Sequence, residues 1–231
     1  AQASRAEIFS AWRTMAIQRT ASLKPETLRE RMAAVFSVSM PAQVTVPEAT
    51  AELVLLRTDT GTPARARWVS PPVEETPEFE ILVRPEGLSC SECQKAPPGG
   101  QTASARLALE VYKAALPPQP FRLERATFHR SNFAERVQDI LAAIRYVSGF
   151  AAAKPVRLNC EGLARAWCLL AAATAPPEMN LILAGGVDAA ATAGLADYLN
   201  RPGIAYAGGL PVLFRLASRG AAGEPAVTIG K

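Results

Sequence analysis

Cys160, His129 and Asp188 are the residues whose side chains could form a hydrolytic set. Cys160 stands just before the turn Glu161-Gly162, and a thiol at a turn that opens a helix has a lowered pKa and is a strong nucleophile. The reaction would need a base within about 3 Å of the thiol and a carboxylate that orients this base. His129 belongs to a different connection of the chain, and nothing in the sequence brings it to Cys160. A packing or surface role is therefore the stronger interpretation for His129, and helix capping is the stronger one for Asp188.

The other cysteines suggest a second kind of site. Cys90 and Cys93 form a C-x-x-C pair in a polar loop that follows a predicted strand, Phe79–Val83. Loops at the carboxyl ends of parallel strands gather at one edge of a sheet, so these two residues and Cys160 are expected to lie close together. Ordinary structural cysteines are the first interpretation, a disulfide from Cys160 to Cys90 or Cys93 the second, and a zinc or other metal site the third. Cys168, inside an apolar helix, is interpreted as a small core residue.

A central stretch, Lys154–Ala175, must position Cys160. Its pattern predicts a short buried strand, a tight turn and a helix that begins near Leu163. Arg165 and Thr174 are the clearly polar residues of that helix, so most of its circumference is expected to be buried. Glu161, on the turn, is expected to be solvated and not catalytic.

Two helices and a hairpin are predicted ahead of this stretch. Apolar residues recur at helical spacing from Ser4 to about Met40, with a break at Thr20–Pro25. Apolar runs on both sides of Asp59-Thr60-Gly61 predict a β-hairpin. None of these elements carries chemistry of its own, and the helices are expected to flank or cover the sheet.

Strands and helices alternate from Phe79 onward, which predicts a mostly parallel sheet covered on both faces. The helix from Asn132 to Ser148 has the clearest pattern, with Asn132 as its N-cap and Glu135 in a capping box. The remaining predicted elements are strands at Phe79–Val83, Met179–Leu183 and Ala226–Ile229, an extended segment at Phe121–Phe128, and helices at Thr102–Leu116, Ala189–Leu199 and Leu210–Ser218. We therefore predict one three-layer α/β/α domain over residues 1–231, with a helical flank at 1–45 and the sheet and its covering helices at 51–231.

The bulk properties exclude several classes of function. The chain has 231 residues and a formal charge of +4, spread singly along the sequence, so no nucleic-acid partner is expected. No apolar run approaches the roughly 20 residues that a membrane-spanning helix needs. The small residues of the Ala1-Gln2-Ala3 start and an even number of cysteines favour a secreted or periplasmic protein.

Three stretches, Phe128–Val147, Val156–Ala173 and Arg201–Ala217, resemble the α/β-hydrolase superfamily, specifically bacterial acetyl-xylan-esterase-like and dienelactone-hydrolase-related proteins. The resemblance implies an α/β-hydrolase-like fold. It also implies that the second stretch holds the nucleophile elbow, whose pattern is G-x-S-x-G. The acidic residue of such proteins would correspond to Asp188, and their histidine would come from a loop after the last strands.

The sequence departs from that family at both reactive positions. No serine lies between Ser148 and Ser218, and the only histidine lies far ahead of the expected loop. If Gly162 occupies the nucleophile position, the elbow holds nothing reactive. In a shifted register Cys160 would be the nucleophile, but Leu158 would then stand where the elbow needs a residue without bulk, so the first register is preferred.

The remnant elbow thus consists of Cys160, Glu161, Gly162 and Arg165. We predict a non-catalytic α/β-hydrolase-like protein, an accessory, structural or binding subunit that uses its scaffold for protein contacts and needs no cofactor. One alternative is a carboxylesterase-type hydrolase that uses Cys160 or a base supplied by a partner. Another is a module that binds a carbohydrate or acyl ligand in the remnant cleft.

Overall fold

The computed structural model describes residues 4–50, 53–58, 63–74, 76–94, 104–114, 131–152, 154–184 and 207–218. The helices of this part of the chain are α1 (Arg5–Ala21), α2 (Pro25–Phe36), α3 (Ser91–Gln94), α4 (Asn132–Ala151), α5 (Ala164–Thr174) and α6 (Gly209–Ala217). The strands are β1 (Val54–Leu56), β2 (Ala64–Ser70), β3 (Glu78–Val83), β4 (Ser104–Glu110), β5 (Val156–Cys160) and β6 (Leu181–Leu183). Single 3₁₀ turns lie at Gly87–Ser89 and Pro177–Met179.

The six strands form one mixed sheet in the order β1-β2-β4-β3-β5-β6. Strand β2 is antiparallel to both of its neighbours, which confirms the predicted hairpin between β1 and β2. Strands β4, β3, β5 and β6 pair with one another in parallel. The arrangement of sheet and helices is of the α/β class.

Alternate residues of each strand point to the same face of the sheet, and on one of the two faces these residues are mostly apolar. Helices α2, α4, α5 and α6 pack on this face in a single core, together with Phe79, Ile81 and Val83 of β3 and Val156, Leu158 and Cys160 of β5. Trp167 of α5 is the largest fully buried side chain. The predicted burial of α5 on most of its circumference is confirmed, because nine of its eleven residues are buried.

The opposite face of the sheet is different in character. It carries a small cluster formed by Leu82, Cys93 and Ala108, against which α3 and the preceding 3₁₀ turn pack. Around this cluster the same face carries charged side chains, which belong to the candidate site described below. A second full layer of helices, as in a three-layer domain, is not shown by the described residues and stays a prediction.

Two sequence-based assignments are wrong. The segment predicted as a helix at Thr102–Leu116 contains strand β4, which lies between β2 and β3. Its burial follows a period of two, with Ala105, Leu107 and Leu109 in the main core, and a central position in the sheet overrides the helical preference of alanine and leucine. The N-cap of α4 is Ser131 and not Asn132, because the Ser131 hydroxyl accepts the backbone N–H of Ala134.

Several expectations fall outside the described residues. These are the extended segment Phe121–Phe128, the helix Ala189–Leu199 and the strand Ala226–Ile229. The predicted helix at Leu210–Ser218 is confirmed as α6, and the predicted strand Met179–Leu183 is confirmed as the shorter β6.

Candidate functional site at the carboxyl ends of β3 and β5

The turn between β5 and α5 has the geometry of a tight strand-to-helix connection. Strand β5 ends at Cys160 and α5 begins at Ala164. Gly162, within the turn, has a φ of +52°, in the left-handed region that favours glycine. A Cβ atom at this position would lie 3.3 Å from Cγ of Pro85, a tight contact. Both the backbone conformation and the available space therefore favour glycine at the point where an elbow would carry its nucleophile.

Cys160 is not a free thiol in this structure. It forms a disulfide with Cys168, on the second turn of α5, and both residues are buried. A disulfide sulfur is neither a thiolate nor a nucleophile, so the hydrolytic role considered for Cys160 is closed in this state. Cys168 is a disulfide partner and not an isolated core cysteine. Arg165 is tied to the same turn, because its Nε donates to the carbonyl oxygen of Cys160 at 3.3 Å.

The expected disulfide from Cys160 to Cys90 or Cys93 is wrong. Cys90 and Cys93 are bonded to each other, across a separation of three residues at the start of α3. Sequence spacing had placed Cys160 with the C-x-x-C pair at one edge of the sheet. In the structure α5 folds back over the end of β5, on the opposite face of the sheet from α3. Cys168 is therefore the cysteine that lies next to Cys160. Among the described residues no group of three His, Cys, Asp or Glu side chains could hold a metal ion.

Arg84 is the polar centre of this edge of the sheet. It follows the last residue of β3, and its side chain is 5% exposed. One guanidinium nitrogen donates to the carbonyl oxygens of Val83 (3.2 Å) and Asn159 (2.8 Å). The other donates to Oε2 of Glu92 (2.6 Å) and Oδ1 of Asn159 (3.2 Å), and lies 3.3 Å from Oε1 of Glu161. Arg84 therefore joins the carboxyl ends of β3 and β5 to α3 and to the turn at Glu161.

A row of polar side chains continues from Arg84 along the same face of the sheet. Asn159 donates from Nδ2 to Oε1 of Glu80 at 2.8 Å, and the other oxygen of Glu80 lies 2.7 Å from Nε of Arg106. Further along, Arg157 pairs with Glu78 at 2.7 Å. Because strand residues of the same parity share a face, the alternation Glu78, Glu80 in β3 and Arg157, Asn159 in β5 predicts this row. Sequence analysis missed it because strands buried on both faces were expected.

The position of these residues follows a general rule for open α/β sheets. The connection after β3 leads to β4 on one side, and the connection after β5 leads to β6 on the other side. The two connections diverge at the carboxyl ends of adjacent strands, and such a switch point is where ligands usually bind. Here the switch point is filled by the mutually bonded side chains of Arg84, Asn159, Glu92 and Glu161.

A second polar group holds the segment after β4 onto α4. Asp139 of α4 accepts the backbone N–H of Tyr112 at 2.6 Å, while Arg136 donates to the carbonyl oxygens of Tyr112 (3.0 Å) and Lys113 (2.7 Å). The Arg136 guanidinium also lies 4.5 Å from the ring centroid of Trp167. Burial raises the pKa of the Asp139 carboxyl to about 7; the Tyr112 N–H opposes this rise and the nearby Glu135 carboxylate adds to it.

His129 and Asp188, the base and the acid of the hypothetical hydrolytic set, both lie outside the described residues. Of the predicted site residues, the structure brings together Cys160, Glu161, Gly162 and Arg165 at the turn. Arg84 and Asn159 also belong to this site, although no sequence motif indicated them.

No protein-family model matches this chain, and neither does any curated protein or any solved structure. Within the described residues, no helix is long and apolar enough to cross a membrane.

Proposed function

We propose that this protein is a non-catalytic member of the α/β-hydrolase-like fold, which acts as an accessory or binding subunit. The observation that carries the proposal is the state of the remnant elbow. Gly162 is the residue of the turn that has a left-handed backbone conformation. The neighbouring cysteine, Cys160, is disulfide-bonded to Cys168. The elbow thus presents no free nucleophile, whatever base lies elsewhere.

The α/β-hydrolase-like fold is part of this proposal and rests on the resemblance together with local geometry. Strand β5, the glycine turn and α5 follow one another at the carboxyl end of a parallel strand, which is the setting of a nucleophile elbow. The two disulfides are compatible with an extracellular location, because disulfides persist in oxidising compartments. Secretion or export to a periplasm is proposed on that ground.

Helix α1 supplies the surface that we assign to partner binding. Four large apolar side chains of this helix, at successive turns, are exposed: Ile8, Phe9, Trp12 and Met15. Trp12 and Met15 also line a groove of about 250 Å³. Its other lining residues are Ala16, Thr20 and two basic residues, Arg19 and Arg31. Contiguous exposed apolar side chains with a charged rim are typical of protein–protein contact sites. The mixture favours a protein segment that presents apolar side chains next to a carboxylate.

The catalytic half of the proposal is tested with a short-chain aryl ester. We expect the wild-type protein to hydrolyse it no faster than the Cys160→Ala/Cys168→Ala double variant, both as purified and after treatment with a reductant. An activity that appears on reduction and is lost in the double variant would instead support the carboxylesterase alternative.

The binding half is tested by purification from the native source after mild chemical crosslinking. We expect a partner, or a second copy of the chain, to be retained by the wild type and lost in the Phe9→Gln/Met15→Gln variant. Val73→Gln is the matched control, since Val73 is also an exposed apolar residue but lies far along the chain from α1. A wild-type protein that is strictly monomeric and carries no partner would overturn the assignment.

A further inference from the structure

The two disulfides of this protein differ in how accessible they are. Cys160 is 4% exposed and Cys168 is fully buried, so the bond between them is enclosed in the main core. In the other pair only Cys93 is enclosed, at 1% exposed, while Cys90 is partly exposed. A thiol from solution can therefore reach the second bond more readily, from the side of Cys90, whereas the first bond is enclosed by the main core.

The Cys90–Cys93 bond is also expected to add less to the stability of the chain than the Cys160–Cys168 bond. It closes a ring of only four residues, and the loss of unfolded-chain entropy on closing a loop is smallest for the shortest loops. The residues that it joins are already held, because Cys93 packs with Leu82 and Ala108 and Glu92 is bonded to Arg84. A structural purpose therefore explains the enclosed bond better than this one.

The sulfur of Cys90 has a hydrogen-bond donor directed at it. The backbone N–H of Cys93 donates to Sγ of Cys90 at 3.0 Å, a bond that would strengthen if the sulfur carried a negative charge. The adjacent carboxylate of Glu92, which would disfavour a thiolate, is neutralised by the Arg84 guanidinium at 2.6 Å. C-x-x-C motifs are common sites of thiol–disulfide exchange, in which a thiolate is the attacking species.

We propose that Cys90 and Cys93 form a thiol–disulfide exchange site, in which Cys90 is the exchanging sulfur and Cys93 the resolving sulfur. In the oxidised protein an incoming thiolate attacks Sγ of Cys90, a mixed disulfide forms, and Cys93 leaves as a thiolate that takes up a proton. A second thiolate then attacks the incoming sulfur of the mixed disulfide and releases Cys90. Two thiols are oxidised to one disulfide and one protein disulfide is reduced to a dithiol, so atoms and electrons balance. In reverse, the Cys90 thiolate attacks an external disulfide and Cys93 displaces the product.

The experiment is carried out on the intact protein without denaturant, in glutathione buffers of increasing reducing strength. Free thiols are then blocked by alkylation and identified by peptide mass spectrometry. We expect Cys90 and Cys93 to become reduced together while Cys160 and Cys168 stay bonded, and the reduced protein to keep its unfolding midpoint within a few degrees. Simultaneous reduction of both pairs, or a Cys90–Cys93 bond that resists until the chain unfolds, would overturn the proposal.

Single variants assign the two roles. In Cys93→Ser, oxidised glutathione should give a stable mixed disulfide on Cys90. In Cys90→Ser the yield on the enclosed Cys93 should be at least tenfold lower, and equal yields would overturn the assignment of the exchanging sulfur. Insulin reduction with dithiothreitol then separates the sources of substrate. Acceleration by the wild type and not by Cys90→Ser indicates protein disulfides, whereas exchange with glutathione alone indicates small thiols.

Discussion

Asp139, on helix α4, has a carboxyl group that is buried beneath the segment following β4. Its carboxyl accepts the Tyr112 N–H at 2.6 Å, but this bond does not offset the cost of placing a charge in the core. The pKa of Asp139 is therefore raised to about 7, well above its value of about 3.9 in an unfolded chain. The folded state consequently holds a proton that the unfolded state has released over this interval of pH.

The consequence is a stability that decreases as the pH rises. Asp139 contributes its full stabilisation below about pH 4 and loses it between about pH 4 and 7, at up to about 1.4 kcal/mol per pH unit, with no further loss above that range. Asp139→Asn keeps an acceptor for the Tyr112 N–H and cannot ionise. We expect the variant to match the wild type near pH 4 and to be more stable at pH 8, as measured by urea unfolding. Parallel stability curves from pH 4 to pH 8 would show that the carboxyl is ionised in the folded protein.

Among the secondary-structure elements, Arg84 holds together β3, β5, α3 and the turn after β5, and its partners differ in exposure. The side chains of Glu92 and Glu161 are 59% and 57% exposed, so either carboxylate can be solvated if the guanidinium is removed. The carbonyl oxygens of Val83 and Asn159 are held by the Arg84 guanidinium, whose side chain is only 5% exposed. We therefore expect the contacts to backbone acceptors to contribute more to stability than the ion pairs.

Two substitutions separate these contributions. Arg84→Met keeps much of the side-chain volume but leaves the carbonyl acceptors and Oδ1 of Asn159 without the donor, and we expect it to lower the free energy of unfolding by about 1–3 kcal/mol. Glu92→Gln removes only an exposed ion pair and should cost about 0–1 kcal/mol. Denaturant unfolding of both variants at neutral pH measures the difference. Equal costs would mean that the ion pair, and not the carbonyl contacts, makes the contribution of Arg84.

The turn between β5 and α5 shows how much of the site could be predicted from the sequence. The turn at Gly162 and the burial of α5 follow from local pattern, since a glycine between an apolar strand and an apolar helix has few other interpretations. The pairing of Cys160 with Cys168 does not follow, because it depends on how far α5 folds back over β5. The helix predicted in place of strand β4 has a related cause, because the alanine and leucine residues of this segment suit both structures. Pairing with β2 and β3 on either side determines that the segment is a strand.

For the whole molecule, the question is whether α1 belongs to the core or to the surface. The end of α1 is anchored, because Thr20 is buried and α1 contacts α6. The apolar side chains at Ile8, Phe9, Trp12 and Met15 remain exposed, in contrast to Leu28 and Met32 of α2, which are fully enclosed. Apolar residues recur at helical spacing in both helices, but the apolar side of α1 is the weaker of the two, and α2 is the helix whose apolar side builds the core.

The difference between the helices predicts opposite effects of substitution. Phe9→Gln/Met15→Gln changes side chains that are about half exposed and lie outside the core, so the free energy of unfolding should change by no more than about 0.5 kcal/mol. Leu28→Ala, the matched change in α2, opens a cavity and should cost about 2–5 kcal/mol. Urea unfolding of the three proteins decides the point. If the α1 double variant is destabilised as strongly as Leu28→Ala, α1 is a part of the core and the partner surface must be sought elsewhere. If it is not, the exposed stripe is unnecessary for folding, which is the condition that the proposed partner surface on α1 must meet.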